Sequence, residues 1–270
     1  MEEDARQGQQ IKARSAGQLA GERPAESLKE DCAELIEVNS MKIPGRLLKR
    51  AFFEASPEHV APHLLGKLLV RRIGERKLLA GRIVEVEAYL GPHHKTADPA
   101  AHSHRGPTPR NSVLFGPAGH AYVYVIYGLY YCMNVSCEKP GHGGGILLRA
   151  LEPLAGLEQM VRNRGLAAHR QKPVREGSGA SAGVAASELT CGPGRLCQAL
   201  GLTRPAHNGL DLLDPDSPLQ VRDDGMRVGQ VLVTRRIGIR HAAELPLRFA
   251  LPDNSCVSGP KSLTGDYISL

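Results

Sequence analysis

Five of the chain's seven tyrosines fall within ten positions, Tyr122-Val123-Tyr124-Val125-Ile126-Tyr127-Gly128-Leu129-Tyr130-Tyr131. Aromatic and β-branched residues at this density fit a pleated, half-buried surface. Gly128 interrupts the run where a turn would join two arms, so the stretch predicts a hairpin with Tyr127 at its tip. Further β-rich runs occur at 64–70 and 79–86, around a polar Gly74-Glu75-Arg76 turn, at 131–135 and 145–150, and again at 230–239 and 247–251. Helical periodicity is confined to 153–162 and 193–200, where Gly201 supplies a stop signal. The expectation is a sheet-dominated α+β domain over 46–270, ending in a weakly patterned C-terminus.

Charge is distributed unevenly. Residues 1–45 hold nine acidic and six basic side chains, so with a net charge of +6 over 270 residues the remainder carries about +9. A basic folded part favours polyanions, nucleic acid first among them, through neutralised phosphates and released counterions. Residues 1–45 are polar and lack aromatic side chains, which predicts a mostly disordered tail, with a short helical turn as the alternative at Cys32-Ala33-Glu34-Leu35-Ile36. Residues 163–187 turn polar and then rich in Gly, Ser and Ala, the composition of a flexible connection. The six cysteines form no CxxC pair and read as reduced thiols. No apolar run reaches the length of a membrane span and no signal-peptide pattern opens the chain, so an intracellular, non-secreted protein is expected.

Chemistry concentrates in three places. The stretch Arg82-Ile83-Val84-Glu85-Val86-Glu87-Ala88-Tyr89 alternates, so a regular strand puts Val84, Val86 and Ala88 on one face and Glu85, Glu87 and Tyr89 on the other. Taken alone, the second face reads as a solvated strand surface. Downstream, Ala101-His102-Ser103-His104-Arg105-Gly106-Pro107-Thr108-Pro109-Arg110-Asn111 is an irregular polar loop of the kind that holds sites. His93, His94, Asp98, His102 and His104 cluster nearby, but their spacing matches no common zinc signature, and no metal is expected. At the hairpin, a tyrosine-rich core is the plain explanation, whereas an exposed Tyr127 could wedge between base pairs. The segment Cys191-Gly192-Pro193-Gly194-Arg195 opens a helix, either as an ordinary proline-initiated start or as one that offers Gly194 and Arg195 to a phosphate; Thr108, Arg105 and Arg110 are further backbone candidates, with solvated loop side chains as the plain alternative.

These motifs occur in one order together with Glu87-Ala88-Tyr89-Leu90-Gly91-Pro92, Cys132-Met133-Asn134, Leu147-Leu148-Arg149-Ala150-Leu151-Glu152-Pro153, Leu196-Cys197-Gln198-Ala199-Leu200 and Pro246-Leu247-Arg248-Phe249. In this the chain resembles the alkyladenine (3-methyladenine, methylpurine) DNA glycosylase family over about 46–251. It departs from the family's mammalian members around 93–99 and in a slightly shorter loop from His104 to Pro107. The resemblance implies a curved antiparallel sheet with surrounding helices, unlike the helix-hairpin-helix glycosylases. It also implies Glu87 as general base and Arg149 as the residue ordering the catalytic site. Tyr89, His102 and Tyr124 would enclose a flipped base, Asn134 would screen its edge, and Tyr127 would intercalate. No lysine lies in the matched catalytic motifs, which favours a monofunctional enzyme without a Schiff-base step. The implied partner is double-stranded DNA carrying damaged purines, met by a monomer without cofactor or membrane, in the nucleus of a eukaryote or the cytoplasm and nucleoid of a bacterium. A non-catalytic DNA-binding homologue and a small-molecule nucleoside hydrolase are the alternatives.

Overall fold

A 13-residue strand, β5 (Lys77–Tyr89), organises the molecule because both of its edges are paired along most of their length. The structure, a computed structural model, describes residues 36–38, 41–43, 45–166, 184–259 and 264–270. On one edge β5 pairs first with β4 (Leu68–Ile73) and then with β11 (Arg248–Ala250). On the other it pairs with β8 (Gly144–Ala155), with register shifts between Ala80 and Gly81 and on either side of Glu85. Such shifts bend a strand and re-aim its side chains.

Ten strands make the main sheet, every pair of them antiparallel. From β4 it continues to β9 (Leu219–Asp223) and β3 (Arg46–Leu47), and from β11 to β10 (Gln230–Thr234) and β12 (Asp266–Ser269). The tyrosine-rich hairpin, β6 (Ala121–Ile126) and β7 (Tyr130–Cys137), joins through β8. Val84, Val86 and Ala88 enter the core with Met133, Ile146 and Leu148, and helices α1 (Pro57–Leu64) and α4 (Pro193–Ala199) add Leu64, Leu196 and Ala199. The α+β class with its antiparallel sheet is as expected.

Several boundaries differ from the sequence reading. Leu64 ends α1 rather than opening a strand: Pro57 pre-sets the first helical φ, and Val60, Ala61 and Leu64 bury one face. Residues 153–155 extend β8, because Gly81 and Ala80 pair with Pro153 and Ala155; Gly156 then turns at φ 75 and helix α2 spans Leu157–Asn163. The connection expected at 163–187 falls largely on 167–183, outside the described residues, and its end forms helix α3 (Ala186–Thr190). A four-residue helix, α5 (Arg204–His207), was not foreseen. The strand expected at 230–239 stops at Thr234, and the C-terminus contributes β12. In the expected tail, β1 (Ile36–Val38) and β2 (Met41–Ile43) pair antiparallel; the possible turn at 32–36 lies outside the described residues except for Ile36, which is in β1.

Candidate active site

The carboxylates of Glu85 and Glu87 are fully buried, so the solvated-face reading of β5 does not hold. Burying two carboxylates requires donors to replace water. For Glu87 these are the Ile237 N–H, 2.8 Å from Oε1, and the Tyr89 hydroxyl, 2.9 Å from Oε2, with the Arg149 guanidinium forming an ion pair through Nη1, 3.1 Å from Oε1. Burial pushes the Tyr89 hydroxyl far above its usual range, and the adjacent Glu87 charge adds to this, so Tyr89 is a donor toward the carboxylate. Burial would lower the Arg149 guanidinium, but the Glu87 and Glu85 charges outweigh it and hold Arg149 protonated.

In front of this cluster opens a cavity of about 360 Å³, walled by Tyr89, His102, Tyr124, Tyr127, Asn134 and Arg149 among others. Such a volume lies within the usual range of small-molecule sites, roughly 300–1,000 Å³. Glu87 lies behind the wall, and the side chains of Tyr89, which donates to it, and of Arg149, which pairs with it, are themselves part of the wall. The aromatic groups are mutually braced. The Tyr122 and Tyr124 rings stack at 5.0 Å, the His102 ring meets Tyr124 edge-on at 4.6 Å, and His102 Nδ1 hydrogen-bonds the Tyr122 hydroxyl at 3.0 Å. Burial, with Arg110 adding to it, lowers the His102 pKa, favouring a neutral ring.

The loop that carries His102 is held by Asn111, whose Nδ2 donates to the carbonyls of His102 and Gly106 and whose Oδ1 accepts the Thr108 N–H at 2.6 Å. Behind Tyr89, Arg236 stacks its guanidinium 4.6 Å from the ring centroid and pairs through two nitrogens with Asp98 at 2.7 and 2.8 Å. Asp98 is thereby engaged, and His94 lies 2.8 Å from Glu58; among the described residues no group of three His, Cys, Asp or Glu side chains is placed to hold a metal ion. Neither Asn111 nor the Asp98–Arg236 pair was singled out from the sequence. Asn111 closes the Thr108-Pro109-Arg110-Asn111 motif, and an Asx turn was its readable signal.

Tyr127 stands at the hairpin tip, 88% exposed and with φ 49, followed by Gly128 at φ 70. The phosphate candidates do not line this cavity. Gly194 and Arg195 border a neighbouring one of about 460 Å³ that shares Tyr127 and also includes Tyr130 and Arg164. Thr108 and Arg110 are exposed, with Arg110 Nη2 reaching the Val125 carbonyl at 3.4 Å beside the hairpin. The five cysteines of the described residues are free thiols, and burial pushes Cys132, in the cavity wall, up to about 11. Asn134 Oδ1 and Ser103 Oγ, both from wall residues, are buried without a hydrogen-bond partner. Among the described residues no helix is long and apolar enough to cross a membrane.

The cavity thus combines aromatic walls, a shielded carboxylate behind them and an exposed tyrosine at its rim, the components of an enzyme site rather than of a plain binding surface. Residues 51–255 match the model of the family described as methylpurine-DNA glycosylase (MPG), and the chain belongs to that family. It is therefore a DNA glycosylase, an N-glycosyl hydrolase of base-excision repair. Similar proteins whose assigned name is 3-methyladenine DNA glycosylase include one from Koribacter versatilis, 49% identical over 216 residues, covering 80% of this chain and 95% of the relative. Others come from Burkholderia lata, 44% identical with 80% and 93% covered, and Methanoculleus marisnigri, 47% identical with 78% and 98% covered.

Proposed function

We propose that this monomeric, monofunctional glycosylase draws an alkylated or deaminated purine, 3-methyladenine foremost, out of duplex DNA into the cavity and hydrolyses its bond to the sugar. 7-methylguanine, hypoxanthine and ethenoadenine are further substrates of the same reading. The observation that carries it is the buried Glu87 carboxylate, held by Arg149 at 3.1 Å and the Ile237 N–H at 2.8 Å behind an aromatic wall.

Extrusion costs a few kcal/mol of lost stacking, offset by backbone contacts, by Tyr127 filling the gap, and by the pocket. Thr108, Arg110, Gly194 and Arg195 are the backbone contacts in this reading. Tyr89 and Tyr124 present ring faces; a purine alkylated at N3 or N7 is cationic and gains about 0.5–2 kcal/mol from such faces. The back of Tyr89 is occupied by Arg236, whose charge Asp98 balances, so the ring keeps its attraction for a cation on the other side. Asn134, with its free carbonyl oxygen, tests the base edge.

As the C1′–N bond breaks, its electron pair leaves with the base, which departs neutral if it was alkylated. Water directed by Glu87 adds to C1′ and gives its proton to that carboxylate, whose charge also steadies the developing sugar cation. An abasic site remains. The Glu87→Gln variant, assayed on methylated duplex DNA, is expected to lose at least about 100-fold in excision while still binding a duplex with a stable abasic-site analogue. Excision by that variant at the wild-type rate would refute the assignment of Glu87.

A further inference from the structure

Glu85 lies two residues before Glu87 and, like it, is fully buried and outside the cavity wall; but Tyr89, Arg149 and Ile237, which hold Glu87, all line the cavity, whereas of the groups that hold Glu85 only Arg149 does. Glu85 nevertheless accepts more hydrogen bonds than Glu87. Its Oε1 is 2.8 Å from Arg149 Nε, 2.6 Å from Arg248 Nε and 2.9 Å from Ser258 Oγ, and its Oε2 is 2.7 Å from the Ser258 N–H. Arg248 is anchored further by Thr234 Oγ1 and the Ser258 carbonyl. Ser258 Oγ is also 3.2 Å from Arg149 Nη2. Three nitrogens of Arg149 are therefore assigned: Nε to Glu85, Nη2 to Ser258 and Nη1 to Glu87.

A guanidinium is planar, so fixing two of its nitrogens fixes the direction of the third. We infer that Glu85 is a positioning residue: by gripping Arg149 Nε and drawing Ser258 onto the guanidinium, it holds Nη1 within ion-pair distance of Glu87, 3.1 Å from Oε1, and makes the segment at Ser258 part of the catalytic assembly. This deepens the reading of Glu87 and Arg149 proposed above and rests on it. Arg248, 2.6 Å from Glu85 Oε1, serves as a second buried counter-charge to Glu85 while Arg149 is shared with Glu87.

The test is the Glu85→Gln variant of the full chain, which keeps the shape and removes the charge. Single-turnover excision from methylated duplex DNA is expected to fall about 100-fold, the cost of a misplaced catalytic group, while binding to a duplex with a stable abasic-site analogue changes less than about 3-fold. The uncompensated positive charge also shifts the acid limb of the pH–rate profile to lower pH, which loss of structure alone would not do. Wild-type excision, or rate and binding falling by the same factor, overturns the inference. If this variant does not fold, Ser258→Ala removes one donor without changing charge and is expected to slow excision about 5-fold, the worth of one hydrogen bond; an unchanged rate overturns the inference. Exchange of the Arg149 Nε proton gives a readout independent of activity. Protection in the wild type and in Glu87→Gln, lost in Glu85→Gln, supports the role of Glu85 even if no purine is released, a result that would instead remove the proposed function. Protection unchanged in Glu85→Gln counts against it.

Discussion

Replacing Tyr127 separates folding from function more cleanly than any other substitution in the site. The side chain is 88% exposed at the tip of the β6–β7 hairpin, and its backbone has φ 49, a left-handed conformation that costs a residue with a side chain roughly 1–2 kcal/mol. Tyr127→Gly removes the strain and adds chain entropy to the unfolded state, so the two offset and the melting temperature is expected to stay within about 3 °C of wild type. Tyr127→Ala keeps the strain and discards the ring. Stacking of an aromatic side chain on bases is worth about 1–3 kcal/mol, so either variant is expected to lose about 5- to 150-fold in kcat/KM on a lesion in duplex DNA. In a single strand there is no gap to hold open, and the loss should be much smaller there. The assay is single-turnover excision of one lesion in matched duplex and single-stranded oligonucleotides, read beside thermal melts. Equal losses on both substrates would refute the wedge and make Tyr127 a pocket residue only.

Asp98→Asn leaves Arg236 buried without its counter-charge and is expected to cost about 3–5 kcal/mol in urea unfolding, part of which returns when Arg236 is replaced by Met in the same chain. Because its pKa is lowered from 6.5, His102 takes up its proton in the folded enzyme only below the range in which the unfolded chain does. Its contribution to stability is therefore present above pH 6.5 and lost as pH falls through that window, and excision of cationic lesions is expected to decline there as the ring gains charge beside Arg110; His102→Gln should flatten both profiles. A Cβ at Gly143, which has φ +79, would lie 2.7 Å from the Phe115 ring and 3.0 Å from Ser103 Cβ, so Gly143→Ala is expected to destabilise by about 1–3 kcal/mol and to raise KM by narrowing the cavity. Ser103→Ala removes a hydroxyl that is buried without a partner and should leave unfolding unchanged or up to about 1 kcal/mol more favourable to the native state; a loss larger than that would mean the hydroxyl is bonded in solution.

What was readable in the sequence was local. The alternation of 82–89 and the tyrosine-rich arms of the hairpin set their own conformation through period-two patterning, and the structure keeps both as strands. The helix at 57–64 escaped because its apolar residues run on into the strand-like Leu64-Leu65-Gly66-Lys67-Leu68, and only Gly66, with φ +82, marks the break. For the site, alternation placed Glu85 beside Glu87 but gave no sign that their face is buried. The groups that bury it arrive from far along the chain: Arg248 is 163 positions from Glu85 and Ile237 is 150 from Glu87. No short-range pattern encodes such a partnership. The roles proposed for Tyr89, His102, Tyr124, Asn134 and Arg149 rest on the ordered motifs; the geometry adds that these five line one cavity.

If the cavity takes a cationic purine, as proposed above, the buried ions around it would let it do so without being an anionic hole. Glu85, Glu87 and Asp98 are matched by Arg149, Arg236 and Arg248, each side chain within 3.1 Å of an opposite partner. A net negative cavity would bind metal ions and lysine side chains as readily as an alkylated purine, and would have to surrender them before each turnover. A neutral cluster offers only directional attraction: ring faces for a flat cation, and one carboxylate whose charge matters once the sugar carbon becomes electron-poor. Selectivity then rests on shape and on the timing of charge development. That is why removing the charge of Glu85, whose link to the cavity runs through Arg149, should slow excision while leaving binding nearly intact.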